Sequence, residues 1–181
     1  MALLLDLDRA VIEAAPAFEH PWLTALFVIL SAWWIKGPLL VGLGLCSDLR
    51  CRRLPLAFGA AALAVAAASL ASDLLKGAFD RARPPELDPS LGSLAPLPDN
   101  PSFPSGHSAT AFAAATAVAI ISPRLRPWAL GIAAAVALSR LYLRVHFPLD
   151  VMAGALLGAG LGALCALLAL RLVRPAPAAA A

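Results

Sequence analysis

Apolar positions in this chain fall in runs. The stretches 22–46, 55–75, 104–122, 127–143 and 148–170 are long and almost free of charge, and about 20 helical residues suffice to cross the hydrocarbon core of a bilayer. The first run is interrupted by WWIKGP, with Lys36 in its interior and Gly37-Pro38 able to break a helix. It therefore reads as one span or as two short helices, 21–34 and 37–49, meeting at a turn. Ahead of it, residues 3–16 (LLLDLDRAVIEAAP) place apolar residues at helical spacing with acids between them, which suits a helix lying at the membrane interface or a soluble-style cap. The opening MALLLDLDRA has no basic n-region and is broken by Asp6 and Asp8, so no cleaved signal peptide is expected. In the last run Gly154, Gly158 and Gly162 put one small residue on each turn. Such a stripe lets helices approach closely in lipid, unless Ala/Gly-rich composition produced it by accident.

Composition turns this pattern into a class. The 181 residues are 61% hydrophobic and 14% charged, against roughly 25% charged in a soluble domain. A polytopic all-α membrane bundle follows, with a single domain over 1–174 and a disordered tail over 175–181. Cys46, Cys51 and Cys165 lack metal-ligand spacing and read as small packing residues. The net charge of +3 comes from Arg far more than Lys, but no basic face with interleaved aromatics exists outside the runs. Nucleic acid is excluded as a partner; membrane lipids and a phosphate-bearing substrate are expected.

Arginines also set the orientation. Arg50, Arg52 and Arg53, then Arg124 and Arg126, then Arg171 and Arg174 fall on one face if the runs alternate, and the positive-inside rule makes that face cytoplasmic. The other face carries Lys76, Arg81, Arg83, Arg140 and Arg144. Three of these have a chemical reason to be there.

Three polar clusters reach that second face: KGAFDRARP with Lys76 and Arg83, PSGH from Pro104 to His107, and SRLYLRVHFPLD with Arg140, His146 and Asp150. Pro104 and Gly106 sit where a helix begins, so the first-turn N–H groups, the Ser105 hydroxyl and the close approach allowed by Gly106 suit an anion. Lys76 adds a point charge, and Arg83 and Arg140 add planar forks that match phosphate oxygens. Pro148 fits the first position of the last helix, which puts Asp150 in its first turn and within reach of His146. A carboxylate on one ring nitrogen leaves the other free as nucleophile or base. His107 has no such acid nearby and suits a proton donor.

Other polar residues read more plainly. Lys36 and His20 are expected to be interfacial, and Asp80, Arg81 and Arg144 to be solvated or lipid-facing. Asp73, one turn before Lys76, is open between a pairing role and none. Three cations would repel a divalent ion, so neither a metal nor another cofactor is expected.

Lys76-x6-Arg83-Pro84, Pro104-Ser105-Gly106-His107 and Ser139-Arg140-x5-His146-x3-Asp150 resemble the three-part signature of the type 2 phosphatidic acid phosphatase superfamily, over about residues 55–170. The resemblance implies a six-helix membrane bundle without a metal. Lys76, Arg83, Ser105, Gly106 and Arg140 would bind phosphate, and His146 would attack phosphorus to form a phosphohistidine. Asp150 would orient His146, and His107 would protonate the leaving group and later activate water. Vanadate-dependent haloperoxidases share the signature but are large and soluble. Two helices before the one ending at Lys76 require a tight hairpin in 22–46, broken at Lys36-Gly37-Pro38. A single span instead gives five helices plus the interfacial stretch over residues 1–20.

The expected protein is thus a multi-pass plasma-membrane phosphatase with its site on the extracytoplasmic side. It would act on a lipid phosphate or pyrophosphate: polyprenyl pyrophosphate first, then phosphatidic acid, phosphatidylglycerol phosphate or a polyprenyl-phosphosugar. The sequence leaves the oligomeric state open. The competing class is a non-enzymatic binder of anionic lipid or a transporter, and charge placed mid-helix rather than at helix ends would favour the latter.

Overall fold

The computed structural model describes residues 2–32, 34–51 and 54–173. Arg52, Arg53, Arg174 and the tail 175–181 lie outside the described residues. Those described form helices and no strand: α1 (Ala2–Ala14), α2 (Pro21–Leu30), α3 (Leu40–Arg50), α4 (Leu56–Phe79), the single turn α5 (Pro84–Leu87), α6 (Gly106–Ile121), α7 (Arg126–Tyr142) and α8 (Pro148–Leu172). Proline opens α2, α5, α7 and α8, where its fixed φ fits and no N–H is lost.

The central helix is α6. Its sequence is apolar all round, and such a helix belongs inside. Ala109, Ala111, Ala113, Ala114, Ala117 and Val118 are fully buried beneath α4, α7 and, most extensively, α8. The glycine stripe explains that last seam. A Cβ on Gly154, Gly158 or Gly162 would stand 2.3, 2.0 or 2.3 Å from the carbonyl oxygens of Ser105, Ala109 and Ala113. The spacing is therefore a packing device that holds α8 on the backbone of α6. Outward, Leu70, Leu74, Leu138, Met152 and Leu156 are exposed, an apolar jacket suited to lipid. By length and hydropathy α4 and α8 each qualify as spans alone, and α6 is a shorter apolar helix.

Helices α3, α4, α6, α7 and α8 run between two ends of the bundle. At one end Ser47 of α3 donates to Ser122 just after α6, and Asp48 accepts from Phe58 N–H at the start of α4. At the other end stand the last turns of α4 and α7 and the first turns of α6 and α8. The expected hairpin is not formed. Pro21–Leu30 and Ile35–Arg50 meet at 68°, well short of reversal, and Lys36-Gly37-Pro38 sits inside a π-helical turn, Ile35–Leu39, that leads into α3. Both ends of α2 bond at the same end of the bundle: Tyr142 Oη accepts from His20 N–H at 3.0 Å, and the Ser31 carbonyl meets His107 Nε2 at 3.1 Å. Ten residues at 1.5 Å each give only about 15 Å, so α2 lies across that end instead of traversing the bundle. Among the described residues, α4 and α8 are each long and apolar enough to cross a membrane, and α2 with the segment leading into α3 makes a third only as one bent span.

Of the cysteines, Cys165 packs in the core as expected, whereas Cys46 and Cys51 are exposed.

Candidate active site

At the end where α2 lies, Lys76, Arg83, Gly106, His107 and His146 line one cavity of about 220 Å³. Fragments 70 residues apart meet because each sits at a helix terminus: Lys76 in the last turn of α4, Arg83 just before α5, His107 in the first turn of α6, and His146 one residue before the N-cap of α8.

Arg140, in the last turn of α7, is 3% exposed, and its Nε has no hydrogen-bond partner. A buried donor left unpaired is costly; Arg144 Nε is unpaired as well, but of the two only the Arg140 charge bears on His146, which sets Arg140 beside the site. Lys76 Nζ donates to the Pro101 carbonyl. Arg83 is 1% exposed and more committed: Nε and Nη2 donate to Asn100 O (3.1 Å) and Oδ1 (2.8 Å), and Nη1 donates to Val145 O at 2.7 Å. Arg83 thus staples the long loop to the segment carrying His146, while Nη1 also lies 3.4 Å from His146 Nε2. Burial pulls the Arg83 pKa below its usual value, with Glu86 and Asp150 opposing.

Ser105 departs from expectation. It is fully buried as the N-cap of α6, its Oγ accepting from Ser108 N–H at 3.4 Å and Ser108 Oγ–H at 3.1 Å. Its hydroxyl closes the helix instead of facing the cavity. The amides of Gly106 and His107 remain at the open end of α6, with no carbonyl a turn earlier in the helix to bond.

His146 is 2% exposed and Asp150 fully buried, but they do not meet at the expected 2.6–3.2 Å. Nδ1 and Oδ2 stand 3.6 Å apart, and Ser102 sits on both, with Oγ donating to Asp150 Oδ2 at 2.5 Å and lying 3.3 Å from His146 Nδ1. Since Ser102 gives its proton to the carboxylate, its oxygen is free to accept from Nδ1–H. That tautomer leaves Nε2 unprotonated, where it accepts from Arg83 Nη1 at 3.4 Å at the edge of the cavity, so the orientation foreseen for the ring is reached through a hydroxyl. Burial pushes the His146 pKa down to about 4; the Asp150 carboxylate opposes this, and the charges of Arg140 and Arg83 add to it.

Asp150 has further partners. It accepts from Phe147 N–H at 2.9 Å and from Arg81 Nη1 at 2.5 Å, and Arg81 also lies over the Phe147 ring at 4.4 Å. Arg81 is therefore no solvated neighbour, and neither is Arg144, which is 5% exposed and paired with Glu19. Lys36 and Asp73 line the cavity with the two histidines, so Lys36 is not an interfacial lysine. His20, by contrast, is exposed as expected. Ser102, Asn100, Arg81 and Lys36 are the site residues that sequence reasoning missed; only the bare presence of charge near the clusters pointed to the last two.

His107 is held by its Nε2 on the Ser31 carbonyl. A carbonyl only accepts, so Nε2 carries the proton.

A helical bundle whose cations, histidines and buried carboxylate converge at one end offers a site suited to an anionic group. The family follows from comparison: the PAP2 superfamily matches residues 57–174, well over half the chain, and the chain belongs to it. It is 38% identical over 102 residues to the lipid A 1-phosphatase of Rhizobium johnstonii, covering 54% of this chain and 42% of that one. It is 46% identical over 67 residues to the undecaprenyl-diphosphatase of Sulfolobus acidocaldarius, covering 36% and 32%. The chain thus matches less than half the length of these curated relatives. Among solved structures, the transmembrane PAP2-type phosphatidylglycerolphosphate phosphatase of Bacillus subtilis superposes with a TM-score of 0.76 at 26% identity, covering 96% of this chain and 90% of that one. Aquifex aeolicus LpxE gives 0.67 at 29%, covering 92% and 94%.

Proposed function

We propose that this protein is a membrane-integrated, metal-independent lipid phosphatase working through a phosphohistidine. The observation that carries this reading is the unpartnered, buried Arg140 guanidinium beside a histidine whose unprotonated Nε2 lies at the edge of a cation-lined cavity. Lys76, Arg140 and the open amides of α6 hold the phosphoryl oxygens and the charge that grows on them in transfer, with the Arg83 guanidinium adding its charge from the cavity wall. His146 Nε2 attacks phosphorus, and the bond to the leaving oxygen breaks. The bound phosphoryl anion holds His107 as the imidazolium, and the leaving oxygen takes its Nε2 proton in place of the Ser31 carbonyl. His107, now neutral with a free lone pair, then draws a proton from water as the water oxygen attacks phosphorus, which breaks the P–N bond and releases phosphate. Asp150, Ser102 and Arg81 keep the His146 ring oriented.

A pyrophosphate on a polyprenyl chain is the preferred substrate. Lys36, Lys76 and Arg83 line the cavity against one lining carboxylate, Asp73, and the charge of buried Arg140 bears on His146 from behind the lining; this excess of positive charge suits a diphosphate better than a monophosphate. Phosphatidic acid, phosphatidylglycerol phosphate, a polyprenyl-phosphosugar and a lipid A 1-phosphate are the competitors. Charge gathered at helix ends supports an enzyme over a transporter. The orientation rule supports an extracytoplasmic site in the plasma membrane, since Arg50, Arg124, Arg126 and Arg171 gather at the other end while Lys76, Arg83 and Arg140 are held by the site.

The test is a panel of these lipids in detergent with EDTA present. Phosphate release that vanadate blocks and His146→Ala abolishes is expected, with polyprenyl diphosphate turned over fastest. A requirement for Zn²⁺ or Mg²⁺, or an active His146→Ala protein, would refute the mechanism.

A further inference from the structure

The N-terminal residues touch the catalytic elements more closely than a membrane anchor needs to. Among the described side chains of α1, over 6–14, Asp8 and Ile12 are buried, one turn apart, while Leu7 and Val11 are exposed. A carboxylate therefore shares the docking stripe with an isoleucine, where an apolar residue would be expected. Asp8 is 2% exposed; Oδ1 accepts from Leu149 N–H at 2.7 Å in the first turn of α8, and Oδ2 pairs with Arg81. Arg81 holds Asp150, which holds Ser102, which meets His146. A second tie, Glu19 to Arg144, reaches the same loop without touching Asp150.

We propose that Asp8 is a positioning residue for the reaction at His146, so that α1 belongs to the support of the nucleophile. This rests on the reading of His146 as the nucleophile. Two groups compete for the Arg81 guanidinium, and both are acids. With Asp8 in place, Arg81 is held at two points and its fork presents Nη1 to Asp150 in one geometry. The Leu149 bond pins the turn from which Asp150 projects. Losing the Asp8 charge frees Arg81 to swing and lets Asp150 turn toward it, away from Ser102, so the His146 ring loses its fixed orientation. Charge neutralisation at Asp8, remote in sequence and outside the cavity, therefore acts on turnover more than on substrate affinity.

The test uses the full chain in detergent with farnesyl diphosphate and dioctanoyl phosphatidic acid as substrates. Second-sphere removals of this kind lower activity about 10–100-fold, so Asp8→Asn is expected to lower kcat by about tenfold or more with KM changed less than about threefold. Glu19→Gln breaks the other tie of the same segment and serves as the structural control, with kcat kept within about twofold on the same scale. Asp8→Glu keeps the charge but moves the carboxylate by one methylene. It is expected to fold and to lose about threefold to tenfold in kcat, and it carries the test where Asp8→Asn yields no folded protein. An active wild type and an inactive His146→Ala, together with Asp8→Asn at wild-type kcat, overturn this inference and leave the reading of the site intact. So does an equal loss in Glu19→Gln, or an Asp8→Glu protein with full kcat. Wild-type rates in His146→Ala overturn the site reading and this inference with it.

Discussion

Both ends of the bundle carry a cavity lined by serine, aspartate and arginine, yet only one has the makings of a site. The end away from the histidines has a cavity of about 310 Å³ between Ser47, Asp48, Ser122 and Arg124, larger than the one the histidines line. Its buried carboxylate, Asp48, caps α4, its serines bond to each other, and Arg124 is exposed. The site-end cavity has about 220 Å³, and the charge around it is not all satisfied: Arg140 is buried with an unpaired Nε, and His146, kept neutral, has only a long 3.4 Å contact from Arg83 at Nε2. Size is thus a poor guide. Buried polar groups in folded proteins are normally paired, so an unpaired cation beside a poised base points to a ligand, and a larger but satisfied cavity points to packing.

Removing the unpaired cation should have the largest effect. Loss of one donor to a transferring group typically costs 10²–10³ in rate, so Arg140→Ala should lower kcat/KM for phosphate release by about that factor. Arg140→Lys should recover only part of it, because a point charge does not replace a fork. Arg124→Ala at the opposite end should leave the rate unchanged. Equal effects of the two alanine variants would erase the contrast between the ends.

The neutral histidine gives the next test. The proposed attack requires an unprotonated His146, and Arg83, Ser102, Arg140, Asp150 and His107 surround the ring. Its pKa lies near 4 rather than the usual 6.5, so the acid limb of kcat/KM should fall near pH 4 to 5, where a solvent-like histidine would already be lost near 6.5. The same shift affects stability. Between pH 6.5 and about 4 the unfolded chain takes up a proton that the folded chain refuses, so the fold loses up to about 3 kcal/mol as pH drops through that window. An acid limb centred at 6.5 in His107-intact protein would contradict the buried, neutral ring.

Much of this architecture was legible in the chain, and the reasons differ by element. Helices α4, α6, α7 and α8 follow from the length of apolar runs, because a membrane-crossing segment has no other way to satisfy its backbone. Lys76, His107, Arg140 and His146 could be placed together because each borders such a run on the same face. Ser102 and Arg81 could not, since the loop between α4 and α6 has no period that fixes which side chain turns inward. Asp8 lies 141 residues from Leu149, whose N–H it caps, and no spacing rule connects them. Lys36 was misread because a π-helical turn, where a break was expected, rotates it into the cavity.

The glycine stripe joins the two ends and lets position be separated from packing. Cβ atoms at Gly154 and Gly162 would meet backbone oxygens at the same 2.3 Å, so either alanine should cost about 1–3 kcal/mol of stability through overpacking. Gly154 rests on Ser105, at the start of the helix that carries His107, whereas Gly162 rests on Ala113, two turns further in. Gly154→Ala should therefore lower kcat at temperatures where both variants are folded, and Gly162→Ala should not. Equal kcat in both would mean that the start of α6 tolerates displacement.

The smallest expected effect lies at the satisfied end. Asp48 Oδ2 accepts from Phe58 N–H at 2.9 Å in the first turn of α4, and loss of such a helix-start bond costs about 1 kcal/mol. Asp48→Ala should therefore lower the thermal midpoint in detergent slightly and leave phosphate release, its pH limb and vanadate inhibition as they are. The carboxylate at this end is buried much as Asp150 is, and it sits beside a larger cavity, so burial and volume alone would predict similar sensitivity. Asp150 differs in what it holds: a chain of groups ending on a reactive nitrogen, where Asp48 holds a helix terminus. A loss of turnover in Asp48→Ala beyond its change in stability would show that the two ends communicate, and the distinction drawn from unpaired charge would then fail.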